Sequence, residues 1–275
     1  MVCSGDRMSA YAELQVTSNY SFLRGASHPS ELVARAAELG HTAIALTDRN
    51  TLAGVVRAHV AAREIAAARE KDAVREDGVR LIPGARLDLT AELAMEDEHS
   101  GASFLCLPTD RAAYGRLSGL LTLGKRRAPK GQCWIAQEDV LHHARGQTLI
   151  ALPPPVASEA AHGVGGDETQ VEAAFAVMLE EFAAAARAAS ATCYLAGHHL
   201  YRGDDARRLL RLEAIARRCG TPLVATNDVY AHMPSRRALQ DVLTCIRAHC
   251  SIDNAGWRLH ANAERHLKSG AEMAR

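Results

Sequence analysis

Residues 29–47 read PSELVARAAELGHTAIALT, and this stretch decides the fold class. Pro29 sits where a first helical turn needs no backbone N–H, and Gly40 follows Leu39 as a C-terminal stop, so 29–39 reads as a helix. Thr42–Thr47 is then a continuous apolar, β-leaning run, the pattern of a strand buried on both faces. A helix that passes so quickly into a doubly buried strand is part of a βαβ unit.

Working outward, the same alternation recurs. Tyr11–Val16 alternates like a strand and opens into a polar turn. Leu52 to about Lys71 is Ala-rich and helical, Val79–Leu89 reads as a strand around Pro83 and Gly84, and Ser103–Pro108 as another. Arg111–Leu123 reads as a helix closed by Gly124, followed by a basic connection, Lys125–Gly131, and a short helix over Gln137–His143. Thr148–Leu152 is a buried run halted by three prolines, and Gly163–Glu168 is the most loop-like stretch. Val171–Ala189, Asp205–Cys219 (closed by Gly220) and Arg236–His249 read as helices, with strands at Thr192–Ala196 and Pro222–Thr226. Asn254–Arg275 looks helical with little apolar surface.

About seven β-then-α units predict an α/β fold with a parallel sheet, in which a closed or nearly closed barrel competes with an open doubly wound sheet. Either way a site belongs in the loops after the C-terminal strand ends. Those loops are Thr17–Gly25, Asp48–Leu52, the turn at Arg86 and Asn227–Pro234, and they concentrate polar residues.

Composition narrows the function classes. The 275 residues carry 32 Lys+Arg against 32 Asp+Glu, so no basic excess argues for a nucleic-acid surface. Aromatics at 4% argue against a base-stacking platform. The seven cysteines are scattered without a C-x-x-C pair, which points away from zinc knuckles and thioredoxin-type sites. Most lie in apolar runs such as Phe104–Leu107, as buried small hydrophobes do. Met1–Ala10 has no apolar signal core and no stretch approaches a membrane span, so the expectation is a reduced, cytoplasmic protein without membrane contact.

Gly119–Arg126 nearly fits a P-loop, but Arg126 replaces the Mg²⁺-binding hydroxyl and Leu120–Leu123 continues an apolar helix, so Gly124 reads as a helix terminator. The thirteen histidines contain no H-x-H, H-E-x-x-H or H-x-x-H, and the neighbours His198 and His199 point apart on a strand. Lys125, Arg126, Arg127 and Lys130 read as a solvated run. Two segments resist such readings: Glu13–Gly25 and Thr226–His232, each a strand end opening into a polar loop, the layout of a barrel-mouth site.

The runs AELQVTSNYSFLRGASHPSELVARAAELG (12–40), ALTDRNTLAGVVRAH (45–59) and LVATNDVYAHMPSRRALQDVLTCIRAH (223–249) resemble the N-terminal region of bacterial C-family DNA polymerases, closest to their error-prone, damage-inducible branch. The resemblance spans residues 11–275 and implies a PHP-type distorted (β/α)7 barrel, TIM-barrel-like, over 1–250, with 251–275 as a linker toward a palm domain. In that family the mouth can hold divalent metals through His, Asp and Glu. Carried over position by position, the ligands fall at Gln15, Thr17, Arg24, Arg49, Arg86 and Tyr230, while Asp48 and Asp228 remain, with Glu13, Asn19, Asn227 and His232 completing a degenerate pocket.

Two carboxylates and one imidazole are too few for a trinuclear cluster. The replacements have a direction: arginine can supply a permanent positive charge where a metal would have stood. The expectation is therefore no metal and no other cofactor in this chain, with Arg24 and Arg86 paired to Asp48 and Asp228. No acidic palm cluster occurs, Glu96–Glu98 sitting in an irregular loop, and the tail ERHLKSGAEMAR (264–275) resembles the run before the palm. The resemblance implies a non-catalytic structural module whose Mg²⁺-dependent polymerase chemistry and DNA contacts belong to the palm, fingers and thumb, with replication or mutagenesis proteins as further partners. A free-standing PHP phosphoesterase or proofreading exonuclease is the competing expectation, and whether this chain is itself an enzyme stays open.

Overall fold

The computed structural model describes residues 11–71, 78–90, 103–154 and 168–275. The expected segments Met1–Ala10, with Cys3, the loop holding Glu96–Glu98, and nearly all of Gly163–Glu168 lie outside the described residues.

Seven strands form one sheet in chain order: β1 (Ala12–Val16), β2 (Ala43–Arg49), β3 (Arg80–Asp88), β4 (Ser103–Pro108), β5 (Gln147–Leu152), β6 (Thr192–Gly197) and β7 (Leu223–Ala225). The helices are α1 (Pro29–Glu38), α2 (Val55–Lys71), α3 (Arg111–Arg127), α4 (Gln137–His142), α5 (Glu168–Ala188), α6 (Asp205–Cys219), α7 (Arg237–Arg247) and α8 (Gly270–Met273). Beyond β7 the chain returns to β1, where the Thr17 N–H donates to the Val229 carbonyl at 2.8 Å and the Val229 N–H to the Gln15 carbonyl at 2.8 Å. The sheet therefore curls into a barrel, as the resemblance implied.

The all-parallel sheet expected from repeated βα units needs one correction. β4 runs antiparallel to both β3 and β5, while the other neighbours are parallel. Antiparallel neighbours do not require the crossover that parallel ones do, and no helical pattern was legible between β3 and β4.

Alternation along the strands separates two layers. Phe104, Cys106, Leu149, Ala151, Cys193 and Leu195 face outward into a cluster with Leu117, Leu120, Leu179 and Phe182 of α3 and α5. Leu105, Leu107, Ile150, Leu152, Ala45 and Ala196 fill the barrel interior. On the other flank Val16, Ile44 and Leu46 pack under Leu32, Val33, Ala36 and Ala58 of α1 and α2. The β1–β2 register shifts between Glu13 and Val16. Such irregularities re-aim side chains at barrel rims, and here they leave Leu14 against the interior cluster but Val16 in the outer layer.

Three further expectations are revised. α3 continues through Gly124 to Arg127, because that glycine serves contact rather than termination: a Cβ there would lie 2.7 Å from Ile135 Cγ1 and 2.8 Å from Cys133 Sγ. Lys125–Arg127 of the basic run are correspondingly helical, while Lys130 lies in the turn beyond, and Arg127 pairs with Asp139. The tail is mostly irregular, with two 3₁₀ turns and only the four residues of α8, because its backbone is engaged with the barrel instead. Tyr230 N–H donates to the Arg265 carbonyl at 2.9 Å, Ala231 bridges His266, and Leu267 is buried with α1 and β1.

Candidate functional site

The mouth lies at the C-terminal ends of the parallel strands, joined there by the start of β4. β2 runs two residues further than expected, so Asp48 and Arg49 are strand residues, and Arg86 lies within β3 rather than in a turn. Arg49 and Arg86 are cross-strand partners, and Asp88 shares the face of Arg86 two residues on. Asp88 accepts from Arg86 Nε at 2.9 Å and from the Ser103 hydroxyl at 2.7 Å, and forms an ion pair with Arg49, whose Nε lies 3.2 Å away. Burial pushes the Asp88 carboxyl up, but the two arginines outweigh it and hold it at about 2. Burial pulls Arg86 down, and Asp88 more than restores it. Arg49, crowded by burial and then by Arg86, is lowered to about 10 despite Asp88.

The expected pairing of Arg24 and Arg86 with Asp48 and Asp228 is corrected accordingly. Asp48 is only 1% exposed, and its carboxylate accepts from the Ser18 amide at 2.8 Å, the Ser18 hydroxyl at 2.8 Å and the Ser21 hydroxyl at 2.7 Å. Burial nonetheless raises its affinity for a proton. The donors come from the loop after β1, which folds back so closely that a Cβ on Gly25 would lie 2.2 Å from the Ser18 backbone. Asp228, with φ of 45°, sits in the left-handed region that aspartate tolerates better than most residues. It accepts from Gln15 Nε2 at 2.6 Å and forms an ion pair with Arg265.

Gln15 is the hub of the mouth. Its carbonyl oxygen accepts from Thr226 Oγ1 and bonds His198 Nε2, each at 2.8 Å. Burial, followed by the charges of Arg265, Arg208, Arg202 and Arg86, holds His198 well below its ordinary pKa, which keeps the ring neutral. Tyr230 lies under the Arg265 guanidinium, 5.7 Å from the ring centroid.

A cavity of about 540 Å³ opens here, lined by Gln15, Arg24, Arg49, Arg86, Asp228 and Tyr230 from the expected set. The other six expected residues serve neighbouring structure. Glu13, buried, accepts from the Tyr11 hydroxyl at 2.8 Å and from the Gln15 and Asn227 amides at 3.0 and 3.2 Å. Thr17 is buried in the closing ladder, and Asn19 bonds His28 at 2.9 Å. Asn227 anchors the tail through the Glu264 and His266 carbonyls, and His232 meets the Ser27 hydroxyl at 2.7 Å. With Asp48, none of these six lines the cavity.

Sequence reasoning missed His198, Arg202, Asp205, Arg208 and Arg265, all cavity-lining, and Asp88 behind them. His198 follows β6 directly, so the strand-end rule could have found it, and Asp88 was legible from its spacing to Arg86. Arg265 carried no local signal. A metal cluster does not fit this donor set: among the described residues no three His, Cys, Asp or Glu side chains converge. The carboxylates that reach the mouth are already committed to arginines, hydroxyls and amides. No helix of the described residues is long and apolar enough to cross a membrane.

Residues 13–188 match the family model described as PHP domain. The chain is 45% identical over 269 residues to the error-prone DNA polymerase of Caulobacter vibrioides, covering 98% of this chain and 21% of that protein. It is 46% identical over 270 residues to the error-prone DNA polymerase of Bradyrhizobium sp., covering 96% of this chain and 20% of that one. The chain thus spans about a fifth of the length of the curated relatives it matches. Among solved structures, it is similar to an amidohydrolase from Chromobacterium violaceum with bound sulfate and no metal, at TM-score 0.50 and 16% identity, over 81% of this chain and 88% of that one. That likeness shows the fold alone.

Proposed function

The chain belongs to the PHP domain family, and from that premise we propose that it acts as a non-catalytic structural module of an error-prone DNA polymerase. Nucleotidyl transfer, its Mg²⁺ ions and the main DNA contacts fall to the remaining four fifths of such a protein. The assembled polymerase would work in the cytoplasm, in translesion synthesis during repair of damaged DNA. Its partners are then its own palm, fingers and thumb, and other replication or mutagenesis proteins.

The observation that carries this reading is the chemistry of the mouth. Hydrolytic metal sites need several convergent N and O ligands and a position open to water. Here Arg24, Arg49 and Arg86 line the cavity, and the carboxylate of Asp228 is bound to Arg265 and Gln15. A guanidinium at this place repels a divalent cation, and among the described residues no three His, Cys, Asp or Glu side chains converge to hold one.

Two assays test it. The purified chain, incubated with Mn²⁺ or Zn²⁺, is expected to hydrolyse neither an aryl phosphate nor a 3′-labelled single strand, and to extend no primer with Mg²⁺ and four nucleotides. Metal-dependent hydrolysis that vanishes in Asp228→Asn would overturn the reading in favour of a PHP phosphoesterase or exonuclease. Primer extension in a preparation free of host polymerase would overturn it as well.

A further inference from the structure

We propose that Cys245 and Cys250 are a modification site, a thiol pair that a peroxide converts to a disulfide and a thiol reductant restores. Both are free, Cys245 near the end of α7 and Cys250 three residues beyond that helix. Neither lines the barrel-mouth cavity. In proteins kept reduced, disulfides are typically transient and redox-sensing rather than structural.

The end of α7 brings the two positions together. The His249 N–H donates to the Ile246 carbonyl at 3.3 Å and the Cys250 N–H to the Cys245 carbonyl at 3.1 Å. Between the cysteines, His249 takes a left-handed backbone, with φ of 49°, which histidine adopts more readily than most side chains. These are the bonds of a Schellman motif, in which the residue two places past the helix cap reaches back over the third-last helical residue and their side chains touch. That contact commonly joins two apolar side chains, and here both are cysteines. The Cys250 thiol accordingly lies within hydrogen-bond reach of Cys245. A disulfide needs Cα atoms roughly 4.4–6.8 Å apart, a spacing compatible with two residues whose backbones share a hydrogen bond.

Exposure sets the order of events. Cys245 is 7% exposed, whereas Cys250 is partly open to solvent. The Cys250 thiolate attacks one oxygen of hydrogen peroxide, the O–O bond breaks, and the leaving hydroxide takes a proton to become water, with Cys250 left as a sulfenic acid. The Cys245 sulfur then displaces that hydroxyl: the S–S bond forms, the S–O bond breaks, and the hydroxide combines with the thiol proton as a second water. Two thiols and one peroxide thus give one disulfide and two waters. Cys193 and Cys219 also lie near each other, but both are buried, so neither offers a first point of attack. The bridge would pin the departure of the segment beyond α7, which carries Arg265 to Asp228. This inference goes beyond the structural-module reading and does not depend on it.

The test is peptide mapping of the reduced, full 275-residue chain before and after brief exposure to dilute hydrogen peroxide, with the remaining thiols alkylated at the end. Arg247 lies between the two cysteines, so trypsin places Cys245 in 238–247 and Cys250 in 248–258, and a bridge appears as these two peptides linked. The link is expected to form with peroxide before Cys193 or Cys219 is oxidised, and to open in reduced glutathione. Cys245→Ser should instead leave Cys250 as a sulfenic acid that dimedone traps, and Cys250→Ser should leave Cys245 unmodified. If Cys245→Ser fails to fold, Cys245→Ala takes its place.

Absence of the linked pair from the oxidised parent, or its appearance only in urea, overturns the proposal. So does Cys250 joined only to a second copy of the chain, since the two thiols of one chain would then not meet. A bridge that reduced glutathione cannot open would refute the reversibility on which the assignment rests. Because neither activity nor metal enters the measurement, failure here is distinct from failure of the structural-module reading, which hydrolysis would reveal.

Discussion

Arg265 forms an ion pair with Asp228 from the irregular segment beyond α7, and both side chains are nearly buried, at 12% and 10% exposed. The positive charge beside this carboxylate therefore comes from a residue outside the set of ligand positions. It also fastens the tail over the barrel, alongside the Asn227 side-chain bonds to Glu264 and His266.

Breaking that pair should be expensive. A buried pair that loses one member typically costs ~3–5 kcal/mol because the other charge stays desolvated. Arg265→Met is expected to destabilise by about that amount, and Asp228→Asn by less, since asparagine keeps the Gln15 contact and tolerates the left-handed backbone. The double variant should cost less than the sum of the two. Urea unfolding of the four proteins checks this, and additive losses would show that the pair is not coupled.

Asp88 predicts an acid dependence. Its folded-state pKa, about 2, lies below the unfolded value of about 3.9. The stability it contributes is then present above pH ~4 and is lost as pH falls through the folded value, a change of up to about 2.6 kcal/mol. Asp88→Asn should be clearly less stable than the parent at pH 6, with the gap narrowing between pH ~4 and ~2. A gap that stays constant over this range would mean that Arg49 and Arg86 do not depress the carboxyl.

Two glycines of one helix should respond in opposite directions. At Gly124 a methyl would lie 2.7 Å from Ile135 Cγ1 and 3.0 Å from the Trp134 carbonyl, whereas at Gly115 nothing stands within 4 Å. Gly124→Ala should destabilise by ~1–3 kcal/mol through overpacking. Gly115→Ala should stabilise by up to ~1 kcal/mol through helix propensity. Thermal melts of both variants check the signs, and equal responses would refute the contact at Gly124.

The cysteines should differ in reactivity. Burial raises the Cys106 thiol far above its ordinary pKa and Cys193 to about 11, while Cys250 is partly exposed. Brief alkylation at pH 8 followed by peptide mass spectrometry should label Cys250 well before Cys106 or Cys193, since the thiolate is the reacting form. Early labelling of Cys106 would mean that the outer layer around α3 opens readily.

Much of the architecture was legible because it is written in local pattern. TAIALT could only be a doubly buried strand, Pro29 and Gly40 bracket α1, and the bounds of β4 and α6 follow from apolar runs and the stop at Gly220. The antiparallel course of β4 was not legible, because a buried strand reads the same in either direction. Gly124 was misread because a glycine at a helix end and a glycine at a close contact look alike in one dimension.

Local pattern in the chain gave repeated βα units, and the family resemblance added the barrel and the expectation that glutamine, threonine, arginine and tyrosine stand at its ligand positions, since both rest on residue identity and order alone. Which side chains meet came from the folded chain. Asp48 is held by serine hydroxyls, Asp88 is shared by Arg49 and Arg86, and Arg265 arrives from the tail to neutralise Asp228. The physical reason is range: helix and strand periodicity act over a few residues, whereas ion pairs and a cavity's charge depend on which strand ends the closed barrel brings within a few ångströms of one another.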